Sequence, residues 1–198
     1  MKIIGITGGI GSGKSQVLHL LQTQYQAYIV EADSLAHKLM QKGQPAYNRI
    51  CETFGTDIVG TDGELDRTIL GKIVFGNEEK LQQLNAIVHP AVKQYIKEDI
   101  AYHREKEDVK YYIIEAALLI EDGYKEICDE LWYIYADKEI RISRLLSGRG
   151  GTRQKWISVM ENQADDDFYI QNCEHIVNNN DDFVKTANVV KELLFSSI

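Results

Sequence analysis

The sequence predicts an α/β fold, in which a mainly parallel five-stranded sheet is covered by helices on both faces. Two patterns carry this prediction. Short runs of β-branched and aromatic residues alternate with segments whose apolar residues recur at helical spacing. Parallel strands need crossover connections, which helices placed between successive strands supply. The first such unit is a strand at Ile3 to Ile6, a glycine-rich turn and a helix at Lys14 to Tyr25.

The other elements follow the same alternation along the chain. Further strands are predicted at 28–30, 109–114, 131–135 and 175–177, and further helices at 34–41, 46–54, 137–146, 165–171 and 182–195. A long helical pattern covers 66–103, and we expect Pro90 to divide it because a proline inside a helix removes a hydrogen bond. The glycine-rich, basic stretch 145–155 is expected to be mobile.

These segments predict one domain over residues 1–198. Its core would comprise about 1–60 and 106–198, with a helical insertion at about 61–105. A lid, meaning a segment that closes over the site, is expected at about 140–160.

Composition and charge exclude several classes of protein. Hydrophobic residues make up 44% and charged residues 26%, as in soluble globular proteins. A formal net charge of −8 disfavours binding to nucleic acid or to anionic lipid. No stretch approaches the ~18 apolar residues of a membrane span, and three scattered cysteines predict reduced, buried thiols. We therefore expect a cytoplasmic protein without a nucleic-acid, membrane or obligate protein partner.

The most specific motif is GGIGSGKS at residues 8–15, which matches the phosphate-binding pattern GxxxxGK[ST] between a strand and a helix. Its glycines let backbone N–H groups turn inward at a helix N-terminus, where anions bind. Lys14 is placed to reach the β- and γ-phosphates of ATP, and the Ser15 hydroxyl to ligate Mg²⁺. The alternative is a glycine-rich turn without a ligand. The motif predicts a three-layer P-loop NTPase fold.

Carboxylates and arginines elsewhere suggest phosphoryl transfer. Asp33 follows the second strand and either accepts the proton of an attacking hydroxyl or caps the next helix. Glu115 ends the third strand and faces either Mg²⁺-bound water or solvent. Four arginines beside a glycine-rich hinge either neutralise a transferring phosphoryl group or form a solvated basic loop. They are Arg141, Arg144, Arg149 and Arg153.

Ordered blocks along residues 4–179 carry a family resemblance. The blocks are 4–15, 30–33, 63–67 with Leu70 and Val74-Phe75, 84–90, Leu118-Leu119 with Glu121, Gln163, and 177–179. In this order they resemble the dephospho-coenzyme A kinase family, whereas the phosphate-binding loop alone is shared by many kinases. The resemblance implies transfer of the ATP γ-phosphoryl group to the ribose 3′-hydroxyl of dephospho-CoA with Mg²⁺, the last step of coenzyme A synthesis.

The resemblance also implies roles for individual residues. Catalysis would rest on Asp33 as the base, Lys14 at the phosphates and Arg144 over the transferring group. The implied ATP-binding residues are Gly9, Gly11, Ser12, Gly13, Lys14, Ser15, Gln16, Arg144, Arg149 and Asn178, and the implied metal ligand is Ser15. The implied acceptor-binding residues are Asp33, Leu65, Arg67, Asn85, His89, Leu118, Leu119 and Glu121.

Some positions depart from the family pattern or allow a plainer interpretation. Ala116-Ala117 and Ile120 replace a pair ending in proline and a phenylalanine, which bears on acceptor affinity. Arg149 lies one residue further from Arg144 than expected, and Val159 or Met160 stands where many members carry arginine.

Two residues of the implied acceptor site also fit structural roles. His89 would serve as a helix cap before Pro90, and Arg67 would form a surface ion pair with Asp66.

Two other functions remain open at this stage. A different small-molecule P-loop kinase would share the loop, the base and the lid, and would read its acceptor through the insertion at 61–105. A regulatory module would instead sense ATP without transferring phosphoryl. Such a sensor would need neither Asp33 as a base nor arginines over the transferring group.

Overall fold

The computed structural model of the chain describes residues 1–195 and contains a five-stranded sheet in the order β2-β3-β1-β4-β5. The strands are β1 Lys2–Thr7, β2 Tyr28–Glu31, β3 Tyr111–Glu115, β4 Glu130–Tyr135 and β5 His175–Asn178. The pairs β1–β3, β1–β4 and β4–β5 are parallel. All five predicted strands are confirmed. Because neighbouring parallel strands end at the same edge, loops that carry a ligand site meet there.

Helices connect and cover these strands. They are α1 Lys14–Tyr25, α2 Ala32–Leu39, α3 Pro45–Phe54, α4 Arg67–Val74, α5 Glu78–Lys106, α6 Lys138–Arg149, α7 Arg153–Glu161, α8 Asp166–Asn172 and α9 Phe183–Phe195. Short 3₁₀ turns occur at Thr56–Ile58 and Tyr124–Glu126. The predicted helix α1 is confirmed at both ends, and the other predicted boundaries shift by a few residues.

One face of the sheet packs against α1 and α9. Alternate residues of β1, Ile4 and Ile6, are fully buried and point to the same face because side chains alternate along a strand. They join Leu21 of α1 and Val190 of α9 in one apolar cluster. This packing fixes β1 and α1, and therefore the two ends of the loop between them.

The prediction that Pro90 divides the long helix is wrong. Helix α5 runs without interruption from Glu78 to Lys106, and Pro90 lies inside it. The break lies instead between α4 and α5, where Gly76 has a φ of +74°. Buried apolar residues lie on both sides of the proline, among them Val88 and Val92. Their packing keeps both halves helical in spite of the lost hydrogen bond.

The stretch 145–155, expected to be mobile, is largely helical. Helix α6 continues to Arg149, and α7 begins after only three residues. Trp156 and Met160 of α7 pack against Leu145 of α6. The Trp156 indole N–H also donates to the Gly150 carbonyl at 2.9 Å. Apolar contacts between the two helices therefore order a segment whose composition indicates a loop.

The chain forms two compact units. The first comprises Met1–Val30 and Lys106–Ile198, and the second comprises Glu31–Glu105. The predicted insertion at 61–105 lies within the second unit. A single kinase domain with a lid at 140–160 stays a prediction.

Two further properties concern membrane crossing and the cysteines. Within residues 1–195, no helix is both long and apolar enough to cross a membrane. The three cysteines are free thiols, and none is fully buried. Burial and neighbouring carboxylates raise the pKa of Cys128 and of Cys173 to about 12, so both thiols are poor nucleophiles near neutral pH.

Candidate functional site

Residues 8–15, here called the phosphate loop, connect β1 to α1. Gly11 and Gly13 adopt φ angles of +79° and +94°, which favour glycine, and Gly13 is the N-cap of α1. The loop forms one wall of a cavity of about 570 Å³. The cavity therefore adjoins the N-terminus of a twelve-residue helix, where the helix dipole favours anions.

A lysine and a carboxylate line this cavity. The Lys14 ammonium donates to the Gly8 carbonyl at 2.6 Å and lies 3.9 Å from a carboxylate oxygen of Glu115. Both side chains are about one-fifth exposed. Of the two interpretations of Glu115, the one with a role at the site agrees with this position, since the carboxylate borders the cavity.

Two arginines of α6 complete the cationic wall. The Arg144 guanidinium donates to the Ser12 carbonyl at 3.3 Å and to the Asn179 carbonyl at 2.7 Å, and it lines the cavity. Arg149, at the end of α6, also lines the cavity and is exposed. Lys14 and these two arginines thus surround one space with three positive charges, which suits a polyphosphate.

Six more of the implied ATP ligands also line the cavity. They are Gly9, Gly11, Ser12, Gly13, Ser15 and Gln16. Asn178 ends β5, is exposed and does not line it. Its side-chain oxygen accepts the Asn180 N–H at 2.9 Å.

Asn179 is a residue of the site that the sequence interpretation did not select. It is 1% exposed, and its side-chain amide donates to the Ser12 carbonyl at 2.8 Å. Its side-chain oxygen accepts from the Thr186 hydroxyl at 2.9 Å. A polar residue just after a strand, at the edge where ligands bind, is the signal that points to this position.

Arg141 and Gln163 also contact the phosphate loop. Arg141 is buried, whereas the sequence interpretation grouped it with arginines around the transferring phosphoryl group. Gln163 is half-buried between α7 and α8. Neither residue lines the phosphate cavity.

The candidate base lies in the second unit. Asp33 is exposed in the first turn of α2, whose N-cap is Glu31. The interpretation of Asp33 as a helix cap is therefore wrong, and its carboxylate remains available for chemistry. Asp33 is the second residue after the end of β2, which keeps it close in sequence to a strand end.

Arg67 and Leu65 also lie in the second unit. Leu65 forms an antiparallel bridge with Val59, and Arg67 is the exposed first residue of α4. Asp66 is the N-cap of α4, where its carboxylate accepts the Thr68 and Ile69 N–H groups at 2.8 and 3.0 Å. The carboxylate of Asp66 therefore fixes the start of the helix that presents Arg67.

Asn85 and His89 lie four residues apart on α5 and are half-buried. Residues at this spacing are neighbours on one face of a helix. The interpretation of His89 as a helix cap is wrong, because α5 continues through that position.

The remaining implied acceptor residues follow β3 in the first unit. Leu119 is buried, with a methyl group close to Gly5 of β1. Leu118 is 47% exposed, and Glu121 is exposed. Leu119 therefore serves packing, whereas Leu118 and Glu121 present their side chains to a ligand or to solvent.

Comparisons with known proteins show the family of the chain. A sequence model of the family described as dephospho-CoA kinase matches residues 2–185. The dephospho-CoA kinase of Dehalococcoides mccartyi is 37% identical, and the match covers 98% of this chain and 96% of that protein. The structure of a dephospho-CoA kinase from Campylobacter jejuni has a TM-score of 0.72 at 23% identity, with full coverage of both chains.

A more distant structure shares the fold. Shikimate kinase from Acinetobacter baumannii, solved in complex with shikimate, has a TM-score of 0.53 at 13% identity. It covers all of this chain and 94% of its own. The fold is therefore that of a P-loop kinase, as the sequence predicts.

Proposed function

Because the chain belongs to the dephospho-CoA kinase family, an ATP-dependent phosphotransferase family, we propose that it transfers the γ-phosphoryl group of ATP to the ribose 3′-hydroxyl of dephospho-CoA. The products are coenzyme A and ADP. The observation that supports this most is the cavity at the phosphate loop, lined by Lys14, Arg144 and Arg149. Three cations around a helix N-terminus favour a polyphosphate over a neutral ligand.

Each charged residue has a defined part in the proposed reaction. Asp33 accepts the proton of the 3′-hydroxyl as its oxygen attacks the γ-phosphorus, and the bond from that phosphorus to the ADP oxygen breaks. Lys14 and Arg144 neutralise the charge that spreads over the phosphoryl oxygens. Arg149 extends this neutralisation from the end of α6. The protein thus contributes mainly positioning and electrostatic stabilisation.

Mg²⁺ fits the oxygen donors of the same cavity. Ser15 and Glu115 both line it and offer a hydroxyl and a carboxylate. Among residues 1–195, no cluster of three or more His, Cys, Asp or Glu side chains could hold a metal ion by itself. We propose Ser15 as the protein ligand, since Mg²⁺ often takes most of its ligands from substrate phosphates and water. When bound, the ion neutralises charge on those phosphates.

We propose acceptor-binding roles for three residues of the second unit. Arg67, Asn85 and His89 supply a charged group and two hydrogen-bonding groups, which suit a nucleotide with a diphosphate. For Leu118 and Glu121, which follow β3 in the first unit, we propose an acceptor-binding role on the family resemblance alone. We propose that the enzyme works in the cytoplasm, where its three free thiols persist.

The test is an ADP-release assay with MgATP and a panel of acceptors. The panel contains dephospho-CoA, adenosine, AMP, pantetheine and shikimate. We expect release of ADP that depends on dephospho-CoA alone. Turnover with another acceptor would keep the kinase chemistry and reject the proposed substrate. Tight ATP binding without turnover on any acceptor would favour the regulatory module.

A further inference from the structure

Both polar groups of the Ile10 backbone are held by side chains from outside the phosphate loop. The Ile10 N–H donates to the side-chain oxygen of Gln163 at 2.9 Å. The Ile10 carbonyl accepts from Nε of Arg141, also at 2.9 Å. The same guanidinium donates through Nη2 to the Gln163 oxygen at 3.3 Å. Side-chain hydrogen bonds therefore hold both the N–H and the carbonyl of Ile10.

Arg141 is itself held in one position. It is 8% exposed, and a Cβ at Gly9 would overlap its guanidinium. Its Nη1 lies 3.9 Å from a carboxylate oxygen of Asp166, and that same oxygen accepts from the Tyr133 hydroxyl at 2.5 Å. A buried guanidinium with several partners has little freedom, because breaking its contacts would leave a charge unpaired.

The Ile10 side chain adds a third attachment. It is half-buried and packs against the apolar cluster of α6 and α7 that contains Leu145 and Trp156. The side chain is thus fixed to α6 and α7, and the backbone is held by Arg141 of α6 and by Gln163, which follows α7. In consequence the loop cannot rotate at this residue without losing two hydrogen bonds and an apolar contact.

Neither Arg141 nor Gln163 lines the phosphate cavity, whereas residues 9–16 do. Both side chains line a different cavity, of about 310 Å³, and so contact the loop from outside the phosphate cavity. The Ile10 N–H is already committed to Gln163, so the phosphates must be bound by other amides of the loop. Any effect of these two side chains on ATP must therefore pass through the conformation of the loop.

We propose that Arg141 and Gln163 are positioning residues for phosphate binding. They fix the Ile10 backbone from outside the phosphate cavity. In this way they set the directions of the loop amides that contact ATP. An anion-binding loop gains affinity when its donors are held in place before the ligand arrives. This inference rests on the proposed function only in that the loop binds the phosphates of ATP.

The decisive variant is Gln163→Met, which keeps size and neutrality but removes the acceptor for the Ile10 N–H. We expect roughly tenfold weaker binding of ADP and of inorganic tripolyphosphate by calorimetry, because the variant loses the hydrogen bond from the Ile10 N–H together with the longer one from Arg141. The KM for ATP should rise by a similar factor, with kcat changed less than about threefold. Gln171→Met, at an exposed position of α8, is the matched control and should bind both probes normally.

A second variant separates positioning from a general loss of stability. Gln163→Glu keeps acceptors for both the Ile10 N–H and Arg141, and should bind tripolyphosphate within about threefold of the wild type. Wild-type affinity in Gln163→Met would overturn the proposal, as would a loss in Gln163→Glu equal to that in Gln163→Met. The binding measurement does not require dephospho-CoA. It therefore tests the role of Gln163 even if the protein does not phosphorylate dephospho-CoA.

Discussion

The Asn179 side-chain amide donates a hydrogen bond to the Ser12 carbonyl, 2.8 Å away, and joins the end of β5 to the phosphate loop. Arg144 donates to the backbone carbonyls of the same two residues. The Thr186 hydroxyl of α9 fixes the Asn179 side-chain oxygen. A buried asparagine therefore connects the loop, the α6 arginine and α9 in one network, and the loss of one member affects the others.

We expect Asn179→Ala to lower the free energy of unfolding by about 1–3 kcal/mol, because it removes two buried hydrogen bonds, one to the Ser12 carbonyl and one from the Thr186 hydroxyl. The KM for ATP should rise, since the Ser12 carbonyl of the phosphate loop loses the hydrogen bond from the Asn179 side-chain amide. Urea unfolding and steady-state kinetics measure both effects. Asn162→Ala removes a similar hydrogen bond at an exposed helix position and should change the stability by less than about 1 kcal/mol. Equal effects of the two substitutions would contradict this account.

Gly13→Ala is expected to weaken ATP binding by at least about tenfold. The residue has a φ of +94°, which costs a residue with a Cβ about 1–2 kcal/mol. The added methyl group would also overlap the Asn179 side-chain amide. Calorimetric titration with ADP measures the loss.

Gly71→Ala is the control for this substitution. Gly71 lies inside α4, and an added Cβ meets no atom within 4 Å. Replacing it should raise stability by about 0.5–1 kcal/mol with ADP affinity unchanged. Normal ADP affinity in Gly13→Ala would show that the loop tolerates a different backbone conformation.

Asp33→Asn tests the proposed base. We expect kcat to fall by roughly 10²–10⁴-fold, because an amide cannot accept the proton of the attacking hydroxyl. ATP binding should stay close to that of the wild type, since the phosphates are assigned to the loop and the arginines. Asp57→Asn, at another exposed position of the second unit, should keep normal turnover. Wild-type kcat in Asp33→Asn would assign the base to another residue.

Glu174 is expected to contribute stability that depends on pH. Burial on its own would raise the pKa of this carboxyl group, but hydrogen bonds from the Leu131 N–H and from Lys125 outweigh burial and lower it. A lowered pKa in the folded state stabilises the fold above the unfolded value, about 4.3, and this contribution is lost as pH falls through the folded pKa.

The comparison is therefore between the wild type and Glu174→Gln across pH. Because the carboxylate is 39% exposed, we expect an advantage of less than about 1 kcal/mol for the wild type at pH 7. The advantage should shrink as pH falls below about 4. Thermal unfolding at a series of pH values measures the difference, with Glu52→Gln as the control. A difference that is constant down to acid pH would contradict the assignment.

Local patterns predicted much of the fold, but contacts distant in sequence lay beyond them. The five strands and α1 follow from periodicity and from the glycine pattern, because each depends on neighbouring residues. The family resemblance, carried by ordered motifs, is likewise confirmed. The prediction that Pro90 divides the helix is wrong, since the apolar residues on either side of it hold α5 together. The burial of those apolar residues decided that case, and the proline alone did not.

The contacts of Arg141 and Asn179 with the phosphate loop could not be predicted from local patterns either. Arg141 contacts Ile10 from 131 residues away, and Asn179 contacts Ser12 from 167 residues away. Periodicity carries no information about pairs at such separations. The sequence suggests that Arg141 surrounds the transferring phosphoryl group, whereas the structure buries it outside the phosphate cavity, in contact with Ile10.

The identity of the phosphorylated product tests the central claim most directly. The purified protein is incubated with MgATP and dephospho-CoA, and the acceptor is then analysed by mass spectrometry and ³¹P NMR. We expect the acceptor to gain one phosphoryl group at the ribose 3′ position, giving coenzyme A in an amount equal to the ADP released. Release of ADP with the acceptor unchanged, or a phosphoryl group at another position, would contradict the proposed reaction.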